Sequence, residues 1–281
     1  MENINAKYFR AFESNLRHFK NSEHTIYNKM NAIKLLHAVN ADLKTISVSE
    51  LTAFFNFIEI QGYSDHHVQY VRRVTKELLR GLRGNESVKW IKVKRVWNQL
   101  KRTDLLDRNE VTWLIENCIT LRDKTILSIL YDAAARPDEL LNIRLEDIED
   151  SEPMHLFLRG YKGERTVPLS FSSFYLRRYL DASPRLAREG VLFGLRREGL
   201  KMVVRRSAVR AQLGKRVYPY LFRHSRITEL ANRLTELQLK KFAGWEYDSA
   251  MVRNYTHLDV SDLDRVVPDR LRVSSLKAPI D

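Results

Sequence analysis

The sequence predicts a mainly α protein of two domains, with a small β-sheet confined to the second. Three observations carry this. Apolar residues recur at three- and four-residue steps through most of the 281 residues. One short stretch, 154–169, alternates instead and brackets a turn at 160–163. Residues 80–100 interrupt the helical pattern with glycines and cations, dividing two periodic parts.

Phe9, Phe12, Leu16 and Phe19 mark a first helix, and Ile26, Met30, Ile33 and Leu36 a second. A third runs through Leu51, Phe54, Phe55 and Ile58, opened by Ser47 with Glu50 three residues on, a capping-box spacing. Gly62 and Ser64 end it, and a fourth follows through Val68, Val71, Val74 and Leu78. Four helices in this span make a small bundle. The run RGLRGNESVKWIKVKRVWNQL then reads as a basic linker, with Trp90 and Trp97 best placed as packing between domains. A fresh helix starts at Asp107, with Glu110 as its capping partner. The expected division is therefore 1–84, a linker over 85–103, and a second domain over 104–281 that includes a C-terminal tail. In that domain 154–159 and 165–169 predict a β-hairpin, and the rest is helical.

Composition narrows the function. Lys and Arg outnumber Asp and Glu 48 to 35, a net charge of +13. The excess is clustered: 11 basic residues against 2 acidic over 66–102, and 10 against 1 over 195–226. Two separated basic stretches suit a polyanion touched from two sides, and double-stranded nucleic acid is the obvious one. Solvated helix faces are the alternative. No apolar run is long enough to span a membrane, the charged start is unlike a secretory signal, and the single Cys118 suits a reducing compartment. The expected location is cytoplasmic, on the nucleoid.

In ILSILYDAAARPDELLNIRLEDI, residues Ile126, Ile129, Leu130 and Ala133 form a buried helix stripe. Arg136 precedes Pro137, which pushes Arg136 out of the helical region and starts the next helix. An arginine at such a joint can present its fork to a phosphate beside helix-end N–H groups, or simply cap the helix. LFRHSRITELANRL places Arg223 and Arg226 on one helix face, and Gly244 stops a helix ahead of Trp245 and Tyr255.

Taken together these segments resemble the catalytic boxes of the tyrosine recombinase (phage integrase) family. Arg136, Glu139 and Leu140 match its Arg–x–x–Glu–Leu box. The run from Pro219 through Tyr220, Leu221, Phe222 and Arg223 to His224 matches Pro–His–x–x–Arg–His. Gly244, Trp245 and Tyr255 match the third box and its tyrosine, and Lys162 matches the hairpin lysine. With 12 tyrosines in the chain, one box alone says little; the order of four says more. The string RHSRITELAN further resembles recombinases of archaeal viruses and plasmids.

The resemblance implies a C-shaped clamp on double-stranded DNA that assembles as a homo-tetramer and cuts through a covalent phosphotyrosine at Tyr255, without metal or cofactor. Arg136 and Arg223 would clamp the nonbridging oxygens, and Lys162 would protonate the departing 5′ oxygen. Trp245 and Tyr220 stand where histidines are commoner; both can donate a hydrogen bond, but a phenol is a poor base. Glu139 is expected to support the arginines, or to be a first-turn carboxylate favoured by the helix dipole. His224 is expected to be structural, with a part in proton transfer left open for it and for His257. The DNA-gripping cations are Arg72, Arg73, Lys76, Lys89, Lys92, Lys94 and Arg95 on one side, and Arg205 and Arg206 on the other. A type IB topoisomerase-like relaxing enzyme, a catalytically inactive DNA-binding protein and an RNA-binding helical protein are the alternatives.

Overall fold

The structure is a computed structural model that describes residues 4–39, 41–96, 101–160, 163–182 and 190–255. It divides into two compact units, Met1–Asn98 and Gln99–Asp281. Among the described residues, no helix is long and apolar enough to cross a membrane.

The first unit is built on α1 (Ala6–His18), α2 (Glu23–Lys34), α3 (Val48–Ile60) and α4 (Asp65–Arg83). The capping box expected at Ser47 is formed: Glu50 N–H donates to the Ser47 hydroxyl at 3.2 Å and the Ser47 N–H to the Glu50 carboxylate at 2.8 Å. The periodic apolar residues of all four helices meet in one core, except Phe19, which lies just past the end of α1 and is exposed. Val88 and Ile91 are buried in it too, so the head of the segment expected to be a linker packs onto this unit. Trp90 lies against the same core, and its indole N–H donates to the Ser87 carbonyl at 3.1 Å. Its place is thus within the first unit; Trp97 lies outside the described residues.

The second unit opens with α5 (Arg108–Glu116), where Asp107 and Glu110 form the expected box. Next comes α6 (Leu121–Asp132). Its stripe is buried as expected, but so are Thr125, Ser128, Tyr131 and Asp132, so the helix is enclosed on every side along that length. The buried polar groups have partners: Asp132 accepts from the backbone N–H and hydroxyl of both Ser170 and Ser172. After α7 (Pro137–Leu141) come β1 (Ile148–Glu149), β2 (His155–Gly160) and β3 (Gly163–Pro168), an antiparallel sheet in the order β1-β2-β3. The hairpin agrees with expectation; β1 was not anticipated, because two residues carry no readable period.

Among the described residues four more helices follow: α8 (Ser172–Ala182), α9 (Arg197–Arg210), α10 (Pro219–Ala231) and α11 (Glu236–Ala243). A short 3₁₀ turn, Ala250–Asn254, follows. A small second cluster joins Ala134, Ile227, Leu239, Ala243, Val252 and Tyr255. It brings the ends of α6, α11 and the 3₁₀ turn against α10, and the candidate site lies there.

Candidate active site

At the end of α6 the chain turns through Ala134, whose φ of 44° is left-handed although it carries a Cβ. Arg136 follows in extended conformation, φ −70° and ψ 149°, ahead of Pro137 at the first position of α7. This is the joint the sequence predicted. Its guanidinium donates to the carbonyls of Ala243, at 3.3 Å, and Gly244, at 3.2 Å, across the end of α11. Helix-end carbonyls carry partial negative charge and lack intrahelical partners, so they orient guanidiniums well.

Glu139 is fully buried and holds the joint together. One carboxylate oxygen accepts from the Arg136 guanidinium; the other accepts from the Arg136 backbone N–H at 2.7 Å and from Arg165 at 2.9 Å. Burial alone would raise its pKa, but the charge and hydrogen bond of Arg165, with those of Arg136, hold it below the ordinary carboxylate value. Arg165 is buried as well, and donates to the carbonyls of Ala133, Ala134 and Phe242. Two glycines admit this pair. A Cβ on Gly160 would come within 3.1 Å of Glu139 Cγ, and one on Gly244 within 2.6 Å of Arg165 Cδ.

Arg165 was missed in the sequence. Its signal was nonetheless present: on β3 it shares the buried face with Val167, so the alternation alone places an arginine in the interior.

On α10, Arg223 donates to Ala134 O and to Ala243 O, both at 2.7 Å. Arg136 and Arg223 therefore converge on the same Ala243 carbonyl. Burial, then the charges of Arg165 and Arg136, push the Arg223 pKa down to about 9. Three guanidiniums gathered around the single Glu139 carboxylate leave an excess of positive charge that favours an anion. Arg226, expected on the same face as Arg223, is turned away instead: it pairs with Glu229 at 2.8 Å and Asp132 at 3.4 Å and lies over the Tyr131 ring.

Gly244 ends α11 in the left-handed conformation, φ 61° and ψ 51°. Trp245 then lies against the Tyr255 ring, centroids 5.4 Å apart and 29° from parallel. Tyr255 itself is buried, and its hydroxyl meets His224 Nδ1 at 2.8 Å. Burial raises the Tyr255 pKa against the lowering effect of Arg223 and Arg136. Burial, and then Arg223, lower that of His224. Tyr220 is 43% exposed, its ring 6.2 Å from that of His224.

The structure thus brings Arg136, Glu139, Tyr220, Arg223, His224, Trp245 and Tyr255 together, with Arg165 added. Lys162 and His257 lie outside the described residues. Of the expected DNA-gripping cations, Arg72 is engaged within its unit, donating to Glu59 at 2.8 Å and stacking on Phe55. Lys76 donates to the Ile91 carbonyl at 2.8 Å and Lys89 pairs with Glu86 at 2.7 Å. Arg73, Lys92, Lys94, Arg95, Arg205 and Arg206 are exposed.

Residues 104–262, more than half of the chain, match the model of the phage integrase family. The tyrosine recombinase XerD of Staphylococcus saprophyticus is 30% identical over 183 residues, 59% of this chain and 62% of that protein. The chain thus spans less than two thirds of that relative. XerD of Oceanobacillus iheyensis is 25% identical over 79% of this chain and 81% of its own length. Tyrosine recombinase XerA of Pyrococcus horikoshii is 33% identical over 48% of this chain and 50% of that protein. Among solved structures, a lambda integrase dimer bound to a COC′ core site has a TM-score of 0.70 at 17% identity, covering 98% of this chain and 79% of that one. XerH bound to its difH substrate has a TM-score of 0.64 at 17% identity, over 86% of this chain and 80% of that one. The chain belongs to the phage integrase family.

Proposed function

We propose that this phage integrase family member is a site-specific DNA recombinase that cuts and rejoins duplex DNA through a 3′-phosphotyrosine on Tyr255. The observation that carries this is the meeting of Arg136 and Arg223 on one carbonyl, within a cluster whose positive charge exceeds its negative, beside a buried tyrosine. Such a cluster suits the charge that builds on the nonbridging oxygens during phosphoryl transfer, and each preorganised donor of this kind typically contributes about 2.7–4 kcal/mol. Tyr255 attacks phosphorus, Trp245 and Tyr220 donate to phosphate oxygens, and Lys162 supplies the proton to the departing 5′ oxygen. The phosphotyrosine conserves the energy of the broken bond, so rejoining requires no nucleotide.

In this reading residues 1–84 contact the duplex, 85–103 form the basic linker and 104–281 form the catalytic domain. Exposed Arg73, Lys92, Lys94, Arg95, Arg205 and Arg206 support the phosphate contacts. Recombination between two sites calls for a tetramer, and the protein acts on the nucleoid in the cytoplasm. The relatives named XerD and XerA favour this reading over a relaxing topoisomerase.

A nicked suicide substrate tests it, because the fragment beyond the cut diffuses away and traps the adduct. Wild-type protein is expected to accumulate a covalent protein–DNA species, and Tyr255→Phe none. An adduct in Tyr255→Phe, or none in the wild type, overturns the assignment.

A further inference from the structure

We propose that His224 is the catalytic base of strand cleavage, taking the Tyr255 hydroxyl proton on Nδ1 as the tyrosine attacks; this rests on the function proposed above. The position where relatives of this family commonly carry a histidine is Tyr220, whose phenol is a poor base near neutral pH. His224 lies one helical turn further along α10, on the same side, and supplies an imidazole there. Successive residues of a helix are about 100° apart. With Arg223 directed at the carbonyls of Ala134 and Ala243, the next side chain swings toward the 3₁₀ turn, and Nδ1 meets the Tyr255 hydroxyl at 2.8 Å. The two rings are stacked, centroids 5.7 Å apart and 22° from parallel, and Trp245 stacks on Tyr255 as well, so the contact is held by packing.

The charges settle the direction of the proton. Among the described residues, the charged and titratable groups around the pair are Arg223 and Tyr220 of α10, Tyr218 at its cap and Arg136 at the head of α7. Tyr255, raised by burial, holds its proton and donates it. His224, kept neutral by burial and by Arg223, accepts it on Nδ1 and carries its own proton on Nε2. The same cations oppose an imidazolium until a phosphate adds negative charge beside them, which couples proton transfer to bound DNA.

The step balances. The Tyr255 O–H bond breaks and its proton passes to Nδ1; the oxygen bonds to phosphorus; the bond from phosphorus to the 5′ oxygen breaks, and that oxygen takes a proton from the general acid, Lys162 in the reading above. In rejoining, the 5′ hydroxyl attacks and the imidazolium returns the proton to Tyr255.

Single-turnover cleavage of nicked duplex DNA tests this with the full-length protein, His224→Ala and His224→Gln. Both variants are expected to bind DNA as the wild type does and to cleave about 10²–10⁴-fold more slowly, the usual range for loss of a general base. Wild-type rates are expected to rise with pH through the titration of His224 in the DNA complex and then level, whereas His224→Ala rates keep rising toward the titration of Tyr255. A substrate with a bridging 5′ phosphorothiolate, whose leaving group needs no proton, is expected to leave His224→Ala slow. Restoration by that substrate would make His224 the acid and overturn the proposal, as would His224→Ala cleavage within about threefold of wild type. No adduct from the wild type overturns the recombinase reading as well.

Discussion

Two arginines three residues apart on α10 have opposite surroundings. Arg226 sits among Asp132, Glu229 and the Tyr131 hydroxyl, and Glu229 also accepts from Arg108 at 2.7 Å. There Arg226 has two carboxylates of its own, although Arg108 and, at 3.8 Å, Arg233 also lie beside Glu229. Arg223 shares one carboxylate, 4.0 Å away, with Arg136 and Arg165, and its fork rests on backbone carbonyls. A guanidinium paired with carboxylates of its own needs no further partner. One that shares a single carboxylate with two others rests on carbonyl dipoles that offset part of the charge, and in the proposed reading it is completed by an anion. The first arrangement joins helices; the second is the one proposed to bind phosphate.

The comparison is broken most directly by exchanging one arginine from each network. Arg223→Ala is expected to lower suicide-substrate cleavage by at least about 10²–10³-fold with DNA affinity largely kept, and Arg136→Ala to act likewise. Arg226→Met is expected to keep cleavage within a few-fold while lowering the midpoint of chemical unfolding, because it removes the cation shared by Asp132 and Glu229. Equal losses of cleavage in Arg223→Ala and Arg226→Met would erase the distinction.

Glu139→Gln sharpens the same point from the carboxylate side. It leaves the buried Arg165 and Arg223 and the partly exposed Arg136 without a counter-charge, and breaking a buried pair of this kind costs about 3–5 kcal/mol in a urea melt. The pH dependence follows in sign. Glu139 has a folded pKa below its ordinary 4.5, so its contribution is present above that value and is lost as pH falls through the lower, folded pKa. Acid unfolding of Glu139→Gln is expected to be shallower than that of the wild type below about pH 4.5; parallel curves would remove Glu139 from the balance.

Gly244→Ala is the smallest change. At φ 61° an added Cβ costs roughly 1–2 kcal/mol, and it meets Arg165 Cδ at 2.6 Å, so Arg165 must shift. A measurable loss of stability together with slower cleavage is expected, and an unchanged melt would separate Arg165 from the site.

Much of this was legible in the chain. The helix starts at Ser47 and Asp107 lie in capping pairs three residues apart, and the conformation of Arg136 follows from the proline after it. The strand β1 was not legible, nor was the enclosure of α6, since a helix buried on all sides blurs the stripe by which it is read. Arg165 could have been found, had the inward alternation of β3 been applied to a charged residue as readily as to Val167.

What the sequence determined by itself was whatever neighbouring residues dictate: helix and hairpin positions, the joint at Arg136, the stop at Gly244, and the order of arginines and tyrosine along the chain. These depend on steric and hydrogen-bonding rules that act over three or four residues. Only the tertiary structure decided that Arg223 faces the site while Arg226 faces Asp132, that Arg165 joins Glu139, and that His224 rather than Tyr220 meets the Tyr255 hydroxyl. Those outcomes turn on groups brought together from α6, α7, β3, α11 and the 3₁₀ turn, between 20 and 94 residues apart, where burial makes each unpaired charge costly and so selects which groups must meet.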